Sequence, residues 1–205
     1  TCLRTPQGVD DRTAYRYEED GALVIRDGKI VAMGAFAPIS QGEGRDLEVV
    51  DHRPHLILPG FVDAHAHMPQ MQVIASFGAE LLDWLNNYTF PEETRFSDPA
   101  HAARIARRFL DELIRHGTTT VAAYCSVHPE SVDALFSEAL SRDMLVLAGK
   151  VMMDRNAPDG LRDTPRSSYD DTQALIVKWH GTGRLHYVVS PRFAITSSPE
   201  QMEMA

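Results

Sequence analysis

The stretch Leu58-Pro59-Gly60-Phe61-Val62-Asp63-Ala64-His65-Ala66-His67 leaves a Pro-Gly turn, runs through a short apolar segment and ends on two histidines two residues apart. In an extended strand side chains alternate between faces, so His65 and His67 point the same way, roughly 6.6 Å apart along the chain at about 3.3 Å per residue. Two imidazoles so placed can converge on one ion at about 2.0 to 2.1 Å each, and Ala66 between them adds little bulk on the opposite face. Zinc or another borderline metal suits such donors. The same spacing also occurs in ordinary strands, so its meaning depends on what surrounds it.

On the N-terminal side, Ala22 to Arg26 and Lys29 to Met33 read as strands joined through Asp27-Gly28, a hairpin turn whose two residues both tolerate positive φ. Leu47 to Asp51 and Leu56 to Leu58 read as further short strands, with Gln41-Gly42-Glu43-Gly44 as an exposed loop. Residues 1–58 are thus expected to form a small β-sandwich unit.

After Gly60 strands alternate with helices. Ser97 or Asp98 can cap a helix with Pro99 at its first position, and Ile105, Phe109, Leu110 and Leu113 make its apolar stripe, ending before Gly117. A β-rich run from Thr118 to Val127 follows, then a helix from Pro129 to Arg142 with Val132, Leu135, Phe136 and Leu140 inward, then a strand from Leu145 to Val151. Tyr169 to His180 and Leu185 to Pro191 repeat the alternation, and Ser198-Pro199-Glu200-Gln201 has the form of a helix start with a capping box.

Strand then helix, repeated, implies a parallel sheet with crossover helices. An open doubly wound sheet would carry a Gly-rich phosphate loop after its first strand, and the sequence has none. The expected fold class is therefore α/β: the first half of a (β/α)8 TIM-type barrel over residues 59–205, beside the N-terminal unit. Barrels carry their chemistry at the carboxyl ends of the strands, which is where His65 and His67 stand.

A net charge of -9 with dispersed Lys and Arg disfavours nucleic acid. No apolar run approaches the roughly 18 residues of a membrane span. Thr1 to Pro6 carry neither an initiating Met nor a leader pattern, which gives a cytoplasmic expectation and suggests a piece of a longer protein. Cys2 and Cys125 are too few for a disulfide framework.

The block Pro59 to His67, preceded by a β-rich unit and followed by Gly117-Thr118-Thr119-Thr120, resembles the amidohydrolase superfamily of metal-dependent barrel hydrolases. Four further blocks narrow the resemblance to members that deaminate guanine: His65 to Gln70, Leu81 to Glu92, Gly149 to Asp154, and Ser190-Pro191-Arg192-Phe193. The resemblance implies hydrolytic loss of ammonia from guanine, giving xanthine, at one zinc per subunit. It makes His65 and His67 two of the metal ligands. It puts the other ligands, two histidines and an aspartate, with the proton-shuttling glutamate, beyond Ala205, so no catalytic acid is expected within this chain. It also implies a small-molecule purine substrate contacted by Gln70 and Arg192 with Phe193 beside it, Trp84 and Leu82 walling the pocket, and a homodimer. The competing expectations are an amidohydrolase acting on a related aminated heterocycle, of cytosine or triazine type, and a non-catalytic piece of the same scaffold.

Several features are set apart from this site. Lys150 falls on the third strand from Phe61, whereas a bridging carbamylated lysine belongs to the fourth in two-metal relatives, so Lys150 is expected to be structural. His128-Pro129-Glu130 matches half of another zinc-deaminase signature without its P-C-x-x-C half, and reads as a helix entry. Asp63 shares the face of the two histidines and can either back one of them or be a plain strand-end carboxylate. His52, His55, His101, His116, His180 and His186 show no paired spacing.

Overall fold

A computed structural model describes residues 2–3, 7–8 and 10–205. Most of the Thr1 to Pro6 segment read above lies outside the described residues. The chain divides into two compact units, residues 1–59 and 60–205.

In the first unit β1 (Cys2–Leu3) lies antiparallel to β2 (Tyr15–Arg16). β3 (Gly21–Arg26) and β4 (Lys29–Ala35) form the expected hairpin, with φ of 51° at Asp27 and 72° at Gly28. Those two positive φ values give the turn a twist that matches the strands it joins. β4 runs into α1 (Phe36–Gln41), a helix not foreseen because no side chain caps it; it closes on Gly42, whose N–H reaches the Pro38 and Ile39 carbonyls. The strands expected at 47–51 and 56–58 do not form, and Val49, Val50, Leu56 and Leu58 stand exposed. Apolar alternation becomes a strand only where a neighbour completes the ladder. No described strand lies against these segments. The sandwich is accordingly not formed by the described residues, which make two two-stranded sheets with Val24 as their one buried large apolar side chain.

The second unit contains, in chain order, β5 (Phe61–His67), α2 (Leu81–Trp84), α3 (Phe90–Thr94), α4 (Pro99–Arg115), β6 (Thr118–Tyr124), α5 (Pro129–Ser141), β7 (Leu145–Gly149), β8 (Val151–Met152), α6 (Pro165–Trp179), β9 (Leu185–Tyr187), β10 (Ser190–Pro191) and α7 (Pro199–Met204). β5, β6, β7 and β9 make one parallel sheet in that order, with α4, α5 and α6 as crossovers. Each strand adds beside its predecessor without the reversal of a doubly wound sheet, so the arrangement fits part of a TIM-type barrel.

Two strands expected to be continuous are broken. The runs from Leu145 and Leu185 stop at Gly149 and Tyr187, and beyond the breaks β8 pairs in parallel with β10, Ser190 opposite Val151. Lys150 occupies the first break: its N–H donates to the Tyr187 hydroxyl at 3.3 Å and its side chain turns fully inward.

Helix starts follow side-chain chemistry. Asp98 caps α4 by accepting the Ala100 N–H at 2.9 Å, with Pro99 at the first position. Ile105, Phe109 and Leu110 are buried as expected. On α5 the inward set is Val132, Leu135, Phe136 and Ala139, whereas Leu140 faces out. α6 begins at Pro165 rather than Tyr169, because Thr164 and Ser167 form a reciprocal capping box. Ser198 caps α7 as expected, but the Gln201 side chain does not return to the cap and donates to Asp163 at 2.9 Å.

The core lies between sheet and helices, with Val121, Ala123, Val146, Ala148 and Leu185 on the strands meeting Ile105, Phe109, Leu135 and Phe136 on the helices. Cys125 is a free buried thiol within it. Among the described residues no helix is long and apolar enough to cross a membrane.

Candidate active site

The site is built at the carboxyl ends of the strands of the second unit. β5 enters close against β6: a Cβ on Gly60 would lie 2.0 Å from the Thr119 Oγ1, which accounts for glycine before Phe61. Asp63 accepts the His65 backbone N–H at 3.0 Å. Of the two roles open to it in sequence, it takes that of a strand-end carboxylate bracing the backbone. The ladder to β6 is irregular between Asp63 and Ala66, and His67 ends it opposite Tyr124.

The two histidines converge. Their Nε2 atoms lie 3.2 Å apart. Ligand atoms held at about 2.05 Å from one ion at a near-tetrahedral angle lie about 3.3 Å apart, so the pair fits a shared cation. Tyr124 holds the arrangement from the side: its ring stacks on His67 with centroids 4.9 Å apart and meets His65 edge-on at 5.5 Å. Burial, with the positive Arg192 and the neighbouring His65 ring, pulls the His67 imidazole down to about 4, so it is neutral at pH 7 with a lone pair to give. Among the described residues no third His, Cys, Asp or Glu joins the pair.

Tyr124 also packs against a small apolar cluster of Leu85, Phe90, Val127, Val151, Met153 and Leu161, which Trp84 borders as well. A π-helical turn, Leu85–Thr89, links α2 to α3. Trp84 is half-buried here and its indole N–H donates to the Ser76 hydroxyl at 2.8 Å.

Arg192, directly after β10, extends over the Phe90 ring at 5.4 Å and donates from Nη1 to Glu93 Oε2 at 2.5 Å. Both side chains are nearly dry, at 7% and 2% exposure. The Gln70 amide donates to the other oxygen of Glu93 at 3.5 Å. Gln70 and Arg192, distant in sequence, thus meet on one carboxylate. Leu82 is not brought to this group and stands exposed on α2. Phe193 is half-buried, and its carbonyl accepts the N–H groups of Thr196 and Ser197.

Glu93 is the residue that sequence reading missed. The only signal was Arg192 itself, a charge after a buried strand that needs an anionic partner. Its neighbour Glu92 has a separate task, gathering Gln72 and Arg95 at 2.6 Å each and lying 3.0 Å from His101 Nε2, which fixes α3 to α4. Lys150 is structural as expected, its ammonium 2.6 Å from Asp163 and 3.3 Å from the Ser168 hydroxyl. His128 is the helix entry it was read to be, at the N-cap of α5. His180 and His186, without paired spacing in sequence, meet edge-on at 5.6 Å.

Residues 56–205 match the Amidohydrolase family. The chain is 49% identical over 193 residues to a guanine deaminase of Escherichia coli, covering 94% of this chain and 44% of that protein. Among solved structures, a guanine deaminase from Bradyrhizobium japonicum superposes with a TM-score of 0.90 at 39% identity, over 96% of this chain and 42% of the other. A guanine deaminase from C. acetobutylicum, solved with guanine bound in its active site, gives 0.80 at 34% identity, over 89% and 43%. The chain thus spans less than half the length of the curated relative it matches.

Proposed function

This chain belongs to the amidohydrolase family, and from that premise we propose that its protein hydrolyses guanine to xanthine and ammonia. In the reaction water adds to the ring carbon bearing the exocyclic amine, the carbon–nitrogen bond breaks, and the nitrogen leaves as ammonia. The observation that carries the reading is the convergence of His65 and His67 at 3.2 Å beside a buried Arg192. A pair of histidines able to hold a metal and an arginine able to read a purine edge, each at the carboxyl end of a strand of the second unit, are what this chemistry needs.

In this reading His65 and His67 hold one zinc. The metal, when bound, supplies Lewis acidity that makes hydroxide available near neutral pH. The depressed His67 imidazole suits the role, since only the neutral ring is a ligand. Arg192 presents N–H donors to a base carbonyl, Gln70 offers a complementary amide, and Phe193 and Trp84 supply apolar wall. An unmatched polar group in a dry pocket costs about 1 to 3 kcal/mol, so these partners decide which ring is accepted. In the complete protein residues 1–58 would form part of a composite β-sandwich and residues 59–205 the first half of the barrel. The complete protein would work in the cytoplasm as a homodimer.

The test is ammonia release by the complete protein from guanine, adenine, cytosine and an amino-triazine under one set of conditions. Guanine is expected to give the highest kcat/KM. A preference for cytosine or the triazine would move the protein to another branch of the family, and release from none of them would refute the proposal.

A further inference from the structure

The contacts of Glu93 differ from those of an ordinary buried ion pair. One carboxylate oxygen takes Arg192 Nη1 at 2.5 Å and the other takes the Gln70 amide at 3.5 Å. The backbone is pinned as well, because the Glu93 carbonyl accepts the Ser126 hydroxyl at 2.9 Å just past β6. Arg192 is fixed from its own side by its N–H to the Met152 carbonyl at 3.3 Å and by the Phe90 ring beneath its guanidinium.

Chemically, this arrangement assigns a polarity to each side chain. A carboxylate only accepts, so Gln70 must turn its NH2 toward Glu93, which leaves the Gln70 oxygen to face a ligand as an acceptor. Arg192 has five N–H donors; one goes to Glu93, and among the described residues the only other hydrogen-bond partner of the fork is the Met153 sulfur at 4.0 Å from the same Nη1. Donors on Arg192 and an acceptor on Gln70 match a lactam edge, where C=O sits beside N–H. The amine and ring-nitrogen edge of adenine carries the reverse order.

We propose that Glu93 is a positioning residue for base selection, which orients the Arg192 fork and the Gln70 amide so that the site reads a lactam edge. The inference rests on the guanine reading above. In this role Glu93 acts through the two side chains that do the reading, Arg192 and Gln70.

The experiment is Glu93→Gln in the complete, metal-loaded protein. KM for guanine is measured with Ki for two competitors, hypoxanthine, which keeps the lactam edge, and adenine, which lacks it. Loss of one charged hydrogen bond predicts that KM for guanine and Ki for hypoxanthine rise about 10- to 100-fold while kcat changes less than about threefold. Ki for adenine stays level or falls, and metal content is unchanged. A merely structural role for Glu93 would weaken all three ligands, kcat and metal together, and that result overturns the proposal, as does a variant indistinguishable from wild type. If Glu93→Gln does not fold, Glu93→Asp decides. It keeps the charge but withdraws the carboxylate by about one methylene, and unchanged discrimination between hypoxanthine and adenine there also overturns the proposal. An unmodified protein inactive on guanine would instead refute the functional reading on which this one rests.

Discussion

Replacing Lys150 by Met tests whether the break in the third strand is held by a buried charge. The Lys150 side chain is fully buried; its ammonium lies 2.6 Å from Asp163 Oδ2, 3.3 Å from Ser168 Oγ and 3.9 Å from Asp171 Oδ2. Methionine fills similar volume without a charge, so the effect isolates electrostatics from packing. Asp163 would keep the Gln201 amide at 2.9 Å and the Met153 N–H at 3.3 Å on Oδ1, while Oδ2 loses its cation. Breaking a buried pair by removing one partner costs about 3 to 5 kcal/mol, and the two surviving hydrogen bonds put this case near about 3. Adding Asp163→Asn to Lys150→Met removes the orphaned charge and should recover about 1 to 2 kcal/mol. The assay is urea unfolding of the four proteins of this cycle, with metal per folded molecule measured alongside. A structural lysine predicts loss of stability with metal content unchanged. A cost below about 1 kcal/mol, or strict additivity in the double variant, would refute the reasoning, and metal lost in proportion to lysine would revive a bridging role.

Two further perturbations address the scaffold. Glu138 on α5 bonds Arg107 of α4 at 3.0 Å and Arg142 at 2.6 Å, and these hydrogen bonds hold its carboxyl below the ordinary value of 4.5 despite partial burial. A carboxylate depressed in the folded state contributes stability that is fully present above its unfolded value and is lost as pH falls through the lower folded one. Thermal melts between neutral pH and about pH 3 should therefore show a smaller acid-side decline for Glu138→Gln than for wild type, and identical slopes would count against the bridge. Gly60→Ala places a Cβ 2.0 Å from Thr119 Oγ1. Overpacking of this kind costs about 1 to 3 kcal/mol; Thr119→Ala should restore part of it in chemical denaturation, and no restoration would mean that the clash lies elsewhere.

Much of the second unit could be read from sequence because its signals are local. Asp98 with Pro99, Ser198 with Pro199 and the stripe of Ile105, Phe109 and Leu110 each act within a turn or two of helix. The hairpin at Asp27-Gly28 is local in the same sense. What escaped depends on partners far along the chain. The apolar alternation at Leu47 to Asp51 has the period of a strand, yet period alone does not supply a neighbour. Leu145 to Val151 looks uninterrupted until Lys150 is seen to turn inward toward Asp163 and Tyr187. At the site, His65 and His67 were legible because alternation alone aims them together. Glu93 was not, since its arginine lies 99 residues away. Leu82, a pocket wall only by family resemblance, stands in solvent on a short helix.

The most direct test of the central claim is the metal content of the complete protein, purified without added metal, compared with His65→Ala and His67→Ala variants shown to be folded by circular dichroism. Two imidazoles converging on one cation predict a divalent metal, zinc foremost, in wild type and its loss from either variant, with guanine turnover lost in step. Full metal occupancy in both folded variants would contradict the claim.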